Sequence, residues 1–219
     1  MTTPNADDSV YPHKLRRLYW PFLALAEICR DVVGTVAGAF EVDAKRYTIP
    51  RFVFHGPSAG AAPVRVGLFA LLHGNELAGA LGLGRLLDLL VAEPVLAAGY
   101  ELSVYPLCNP TGYEDDTAHN RAGRDLNREF WRGSAQPEVR ILEAELRQQC
   151  FDGIVALHTP GAGGGEGSLS APPEQQPGPF RFILEVPPAI PMAQQVEAIS
   201  CALHALLKEY RGFSVPRPL

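Results

Sequence analysis

The 219-residue sequence lacks an excess of positive charge, a long apolar run and closely spaced cysteines. Lysine and arginine total 19 against 24 aspartates and glutamates, so the clustered basic residues of a broad nucleic-acid footprint are not predicted. The most apolar stretch, residues 68–91, is interrupted by His73, Glu76, Arg85 and Asp88, whereas a membrane-spanning helix needs about 20 nearly uninterrupted apolar residues. The four cysteines form no Cys-x-x-Cys clip, which predicts free thiols in a reducing compartment.

The start of the sequence carries neither the basic nor the apolar region of a secretory signal peptide. We therefore expect a cytoplasmic protein with no membrane and no nucleic-acid partner. Apolar residues make up 47% and charged residues 20%, as is typical of globular proteins. No internal repeat or linker interrupts the chain, so a single domain over residues 1–219 is predicted.

Hydrophobic periodicity predicts strands alternating with helices, the pattern of an α/β fold with a largely parallel sheet. Residues 1–63 are expected to form a helix over 14–33, kinked at or beginning at Pro21, and a hairpin or two short strands over 36–53. For the core, residues 64–210, we predict strands at 64–72, 100–107, 152–157 and 180–186, and helices at 77–92, 138–150 and 194–210. Residues 109–135 and 159–179 are expected to be long loops. The predicted architecture is one domain with a mostly parallel mixed sheet flanked by helices.

Polar side chains stand where three of the predicted strands end. His73 and Glu76 follow the first core strand, His158 follows the third and Glu185 lies at the end of the fourth. Ligands of α/β proteins bind at the carboxyl ends of the strands, so these four side chains are expected to converge.

A metal site is the first interpretation of this group. One imidazole and one carboxylate three residues apart, with a distant histidine as third ligand, can hold a catalytic Zn²⁺ with one position open. His73, Glu76 and His158 would then be the ligands, and Thr159 would supply the hydrogen bond that a metal-bound histidine needs. The alternative is that Glu76 caps the following helix beside a hydrogen-bonded His73.

The predicted loop 109–135 is rich in arginine, with Arg121, Arg124 and Arg128 close to Asn127. Guanidinium groups bind carboxylates bidentately, so Asn127 and Arg128 beside a metal site suit a substrate with a free carboxylate. The alternative is a solvated basic loop whose arginines pair weakly with nearby aspartates, namely Asp115, Asp116 and Asp125.

Five short motifs occur in an order that resembles the zinc carboxypeptidase superfamily, near its succinylglutamate desuccinylase/aspartoacylase branch. They lie within residues 64–210 and are His73-Gly-Asn-Glu76, Asn109-Pro-Thr-Gly112, Asp125-Leu-Asn-Arg128, Leu157-His158 and Ile183-Leu-Glu185. The first and third, the latter followed by Phe130, are closer to the desuccinylase/aspartoacylase branch. Asn-Pro-x-Gly is closer to the carboxypeptidases proper.

The resemblance implies a role for each matching residue. His73, Glu76 and His158 match the ligands of one zinc ion per chain, and Glu185 matches the general base that activates the water. Arg128 with Asn127 matches the pair that binds the substrate carboxylate. Arg121 is placed like the arginine that stabilises the oxyanion, a role for which Arg124 competes.

The implied function is a carboxypeptidase-like zinc hydrolase that cleaves an amide bond next to a substrate carboxylate. A small peptide and an N-acyl amino acid both fit that geometry, so a deacylase is the alternative activity. A family member that binds a ligand without turnover is the alternative outside catalysis.

The sequence departs from the carboxypeptidases proper between His158 and Glu185. These residues are only 27 positions apart, and no tyrosine lies between residues 114 and 209. The substrate pocket must therefore be built from the 161–179 loop, the N-terminal 60 residues or a partner chain.

Overall fold

One six-stranded mixed sheet forms the centre of the protein in the computed structural model, which describes residues 13–58, 62–160, 165–175 and 178–210. The strands are β1 (Val32–Val42), β2 (Lys45–His55), β3 (Val64–Phe69), β4 (Tyr100–Tyr105), β5 (Gly153–His158) and β6 (Phe180–Glu185). Their order across the sheet is β1-β2-β4-β3-β5-β6.

In the described part of the chain, five α-helices flank the sheet: α1 (His13–Ile28), α2 (Leu77–Ala92), α3 (Pro110–Asp115), α4 (Pro137–Gln149) and α5 (Met192–Tyr210). Short 3₁₀ helices occupy Pro94–Ala97 and Leu126–Arg128. Among the described residues, no helix combines the length and the apolar character needed to cross a bilayer.

The sheet is parallel from β4 to β6 and antiparallel at its other side. β3 pairs in parallel with β4 and β5, and β5 pairs in parallel with β6. The hairpin β1–β2 joins through an antiparallel pairing of β2 with β4. The predicted mixed, mostly parallel sheet is therefore confirmed, and the N-terminal hairpin belongs to the same sheet as the core.

Apolar side chains bury both faces of the sheet. α1, α2 and α5 contribute Leu15, Leu83 and Leu203 to the core of one face, and α4 contributes Leu142 to the core of the other. Burial of this kind supplies most of the free energy that holds α/β layers together. β6 is the exception, because it lies at the edge of the sheet and most of its residues stay partly or largely exposed.

Several predicted boundaries need correction. α1 ends at Ile28 rather than at residue 33, and it continues through Pro21. Residues 32–33 begin β1 instead, in keeping with the strand preference of two consecutive valines. The segment 109–135 is not one loop, since α3 and a 3₁₀ helix lie within it.

The parallel part of the sheet positions the candidate site. Because β3, β5 and β6 run in the same direction, their carboxyl ends meet at one edge. His158 is the last residue of β5 and Glu185 is the last residue of β6, while His73 follows β3. The fold thus brings together the polar residues that the sequence places at strand ends.

Candidate metal centre

A strained turn carries the chain from β3 into the site. The backbone of Leu71 adopts a φ of 54°, in the left-handed region that β-carbon-bearing residues rarely occupy. Gly74 follows, and a Cβ at this position would lie 2.0 Å from the backbone carbon of Gly112. Only glycine fits this close approach, so the His-Gly-Asn-Glu turn packs directly on the start of α3.

Asn109 fixes the other side of this contact. Its side-chain carbonyl accepts from the backbone N–H of Gly112 at 2.9 Å and caps α3, while its amide group donates to the carbonyl oxygen of Leu72 at 3.1 Å. The Asn-Pro-Thr-Gly motif therefore supports the turn that presents His73.

His73, Glu76 and His158 form one buried cluster. Each offers a ligand atom, and these atoms all lie within 4.8 Å of one another. Nδ1 of His158 lies 3.0 Å from Oε2 of Glu76, and Nδ1 of His73 lies 3.3 Å from Oε1 of Glu76. The three predicted ligands therefore lie together in the structure, and together they could hold a metal ion.

The carboxylate of Glu76 is directed into this cluster and not to the helix end. Glu76 occupies the N-cap position of α2 but makes no side-chain capping bond. Its Oε1 accepts instead from the backbone N–H of Thr159 at 3.0 Å and from the Thr159 hydroxyl at 2.5 Å. The helix-capping alternative is therefore wrong. The expected bond of Thr159 is corrected as well, since Thr159 bonds to Glu76 rather than to His158.

Hydrogen bonding sets the charge of the cluster. Burial would raise the pKa of Glu76, but the bonds from His158, His73 and Thr159 outweigh burial and lower this pKa to about 2. Burial would lower the pKa of His73, but its bonds to Glu76 and to Asp125 prevail and raise it. Glu76 is thus an anion at neutral pH, as a metal ligand must be.

Asp125 contacts the cluster, although the sequence reasoning did not assign it to the site. Its Oδ1 accepts from Nε2 of His73 at 3.0 Å and also from the backbone N–H of Asn127 at 2.9 Å. A carboxylate on the outer nitrogen fixes the orientation and tautomer of a metal-binding histidine. The signal was present in the sequence, because a metal-binding histidine requires such a partner and Asp125 opens a motif already identified.

Glu185 stands beside the cluster on the neighbouring strand. His158 and Glu185 are direct partners in the β5–β6 register, so their backbones lie about 4.8 Å apart. Glu185 is largely exposed, which leaves it accessible from solvent. The predicted base is thus adjacent to one of the predicted ligands.

Arg128 and Asn127 lie next to the loop 165–169. Nε of Arg128 is 3.7 Å from Oδ2 of Asp125, and a Cβ at Gly165 would lie 2.1 Å from its Nη1. The side-chain oxygen of Asn127 accepts from the backbone N–H of Leu169 at 3.1 Å. Asn127 therefore holds the loop in place, while the half-exposed Arg128 lies over it.

No protein-family model matches the sequence, and no curated protein does either. Solved structures do match. A metallo-carboxypeptidase from Burkholderia cenocepacia has a TM-score of 0.69 at 15% identity, covering 93% of this chain and 70% of that chain. Carboxypeptidase A from Helicoverpa armigera has a TM-score of 0.64 at 16% identity, covering 91% and 74%. A candidate metallopeptidase from Shewanella amazonensis has a TM-score of 0.62 at 21% identity, covering 89% and 92%.

The chain has the metallo-carboxypeptidase fold. The resemblance that its motifs predict is confirmed at this level. The His-Glu-His cluster lies where the parallel strands of this carboxypeptidase fold end, which is the general position of ligand sites in α/β sheets.

Within the carboxypeptidase fold, Arg121 is engaged by carboxylates. Its guanidinium donates to both side-chain oxygens of Asp115 at 2.6 and 2.8 Å, to Glu114 at 2.7 Å and to the Tyr47 hydroxyl at 2.6 Å. Arg121 is therefore paired with a nearby aspartate, Asp115, as the alternative interpretation of this loop expects. The role of Arg121 in stabilising an oxyanion stays a prediction. To reach an oxyanion, Arg121 would have to leave these partners.

Arg124, the competing candidate, also has an acidic partner. Its guanidinium donates to the carboxylate of Glu129, and its side chain is 57% exposed. Among the described residues, no hydrogen bond or ion pair joins either arginine to the His-Glu-His cluster, whereas Arg128 lies near Asp125, the partner of His73. Of the three arginines, Arg128 is therefore the one that these contacts connect to the cluster.

Proposed function

We propose that the protein is a zinc-dependent hydrolase that cleaves an amide bond next to a substrate carboxylate. The observation that carries the proposal is the buried His73–Glu76–His158 cluster with Glu185 beside it in the strand register. Solved structures with this fold are named metallo-carboxypeptidases, which supports the same class of reaction.

The donor set suits zinc. Two imidazole nitrogens and one carboxylate oxygen are a known ligand set of catalytic zinc sites, which keep a fourth position open. His73, Glu76 and His158 would hold the ion, with Asp125 orienting His73. When bound, zinc supplies Lewis acidity that polarises a carbonyl group and lowers the pKa of water toward about 7.

The other residues would handle the proton and the substrate. Glu185 takes a proton from the attacking water and passes it to the leaving amine, as a general base and then a general acid. Arg128 binds the carboxylate of the substrate through a charge-assisted pair. Its half-exposed guanidinium can receive a substrate from solvent, since the side chain is 45% exposed.

A peptide and an N-acyl amino acid would present the same two groups to this site, an amide bond and a nearby carboxylate. A C-terminal peptide bond and the amide of an N-acyl amino acid each lie one carbon from a carboxylate. We propose a carboxypeptidase-like preference, because the Asn109-Pro-Thr-Gly112 motif resembles the carboxypeptidases proper and the Asn127-Arg128 pair suits a substrate carboxylate. The deacylase is the alternative that an activity measurement distinguishes.

The test is turnover of a matched substrate panel by full-length, zinc-loaded protein. The panel pairs N-blocked dipeptides with N-acetyl and N-succinyl forms of the same C-terminal amino acids. We expect hydrolysis of the dipeptides, its loss with a chelator and its return with Zn²⁺. Preferred cleavage of the N-acyl amino acids would replace the peptidase by a deacylase, and no chelator-sensitive cleavage of either series would contradict the proposed hydrolase.

A further inference from the structure

The two imidazoles of the cluster differ in what holds the outer ring nitrogen. Nε2 of His73 bonds to Asp125 at 3.0 Å. The side chain of His158 is 0% exposed, and its Nε2 has no hydrogen-bond partner among the residues that the structure describes. Metal-binding histidines almost always donate this outer N–H to a carboxylate, a carbonyl or a water molecule, so His158 still needs an acceptor.

Nearby side chains do not supply this acceptor directly. The Nδ1 atom of His158 faces Glu76, so Nε2 must carry the hydrogen atom when Nδ1 binds the metal. The hydroxyl of Thr159 donates to Glu76, and neither it nor any other polar atom of the described residues forms a hydrogen bond with Nε2 of His158. The acceptor must therefore come from another element.

A small cavity adjoins the cluster between β5, α2 and α5. His158, Glu76, Thr159 and Gln195 contribute to its lining, and the remaining lining residues are mostly apolar. Its volume of about 10 Å³ is close to the ~10–15 Å³ that one water molecule requires. A buried water also needs two or more polar partners, and this lining offers them.

Gln195 also lines this cavity and carries a side-chain acceptor. It lies in the first turn of α5 and is only 6% exposed. Its amide nitrogen donates to the backbone carbonyls of Ile190 at 2.8 Å and of Pro188 at 3.5 Å. Two carbonyl partners fix the nitrogen side of the amide, and the side-chain oxygen Oε1 is left as the acceptor for the cavity.

We propose that Gln195 is a positioning residue that holds His158 through one ordered water molecule in this cavity. The water accepts the Nε2 hydrogen of His158 and donates to Oε1 of Gln195. α5 thereby fixes the ligand His158 in the way that Asp125 fixes the ligand His73. This inference rests on the proposed metal centre and adds to it a residue from the C-terminal helix.

The test measures the dissociation constant of Zn²⁺ by chelator competition in full-length protein. Gln195→Leu removes the acceptor and the donors, whereas Gln195→Glu removes the donors but keeps an acceptor oxygen. Gln194→Leu is the matched control, because Gln194 is the exposed neighbour in the same helical turn. We expect Gln195→Leu to weaken zinc binding about 10–100-fold, the usual cost of losing such an outer partner, while Gln194→Leu stays close to the unmodified protein. Gln195→Glu loses the two bonds that orient the side chain but keeps an acceptor oxygen, so it should weaken zinc binding less than Gln195→Leu does.

The outcomes separate this inference from its alternatives. Unchanged affinity in Gln195→Leu would overturn it, and so would equal losses in the Leu and Glu variants, which would indicate only a structural role at the start of α5. A crystal structure should show the water within about 2.7–3.2 Å of Nε2 and Oε1, and direct contact or no water there would also overturn it. Unmodified protein that binds no Zn²⁺ would overturn the proposed function itself, whereas tight binding with an unaffected variant overturns this inference alone.

Discussion

Nε2 of His73 lies 3.0 Å from Oδ1 of Asp125, a residue 52 positions further along the chain. The same oxygen accepts from the backbone N–H of Asn127. A single carboxylate thus orients a candidate metal ligand and begins the 3₁₀ helix that carries Arg128. This contact joins the proposed metal site to the proposed substrate-binding residue.

Replacement of Asp125 should weaken metal binding. Asp125→Asn keeps an acceptor for Asn127 but removes the negative charge behind the imidazole, so we expect the zinc dissociation constant to rise about 10–100-fold. Asp116→Asn is the control, since Asp116 is exposed and adopts a left-handed conformation that asparagine tolerates. Chelator competition measures both, and equal affinities for the two variants would show that Asp125 does not support the metal.

Zinc affinity should increase with pH. Burial opposes charge on His73, but its bonds to Glu76 and Asp125 prevail and raise its pKa. Metal binding must displace the proton on the ligand nitrogen. The protonated form competes at low pH, so binding should be weaker at pH 6 than at pH 8. Glu76, with a pKa of about 2, stays ionised over this range and adds no pH dependence. Calorimetry in buffers of different ionisation enthalpy should detect the released proton, and pH-independent binding without proton release would contradict the assignment.

Glu185→Gln should retain zinc and lose turnover. Glutamine is nearly isosteric but cannot accept the proton of the attacking water, and general acid–base catalysis contributes about 10²–10⁴-fold. Zinc content and kcat are measured on the same preparation. Glu93→Gln is the matched control, because Glu93 is an exposed glutamate just beyond the end of α2. Retention of more than about a tenth of the activity in Glu185→Gln would require a different base.

Arg128→Ala should selectively impair substrates that have a free carboxylate. Loss of the charge pair should cost about 2–5 kcal/mol in kcat/KM, with little change for an amidated analogue that already lacks the charge. Comparing two substrates and two proteins gives a coupling energy. Arg132→Ala is the control, since this half-exposed arginine of the same segment pairs with Glu166 instead. A coupling near zero would mean that Arg128 does not contact the carboxylate.

Much of the fold and of the candidate site could be predicted from hydrophobic periodicity and from the polar residues at the ends of the predicted strands. The bounds of α2 agree with the sequence because five apolar residues at helical spacing precede a break at Glu93 and Pro94. His73 and His158 converge because parallel strands share one carboxyl edge. Such patterns are local in sequence and need no knowledge of the tertiary structure.

The rest depends on contacts between distant segments. α3 has only six residues, too few to show periodicity, although Asn109 followed by Pro110 is a capping signal. The partner of Thr159 could not be known before the direction of the Glu76 side chain was fixed by the fold. Asp125 differs, because its motif was visible in the sequence, but the fold decides that its carboxylate reaches His73.

The zinc content of purified protein tests the central claim most directly. Element analysis after zinc loading and desalting should give one zinc per chain, and the His73→Ala/His158→Ala double variant should give none, because a single carboxylate cannot hold the ion alone. A His55→Ala/His119→Ala double variant is the matched control, since both of these histidines are exposed, and it should retain one zinc. Full zinc occupancy in the His73→Ala/His158→Ala variant, or none in the unmodified protein, would contradict the proposed metal centre.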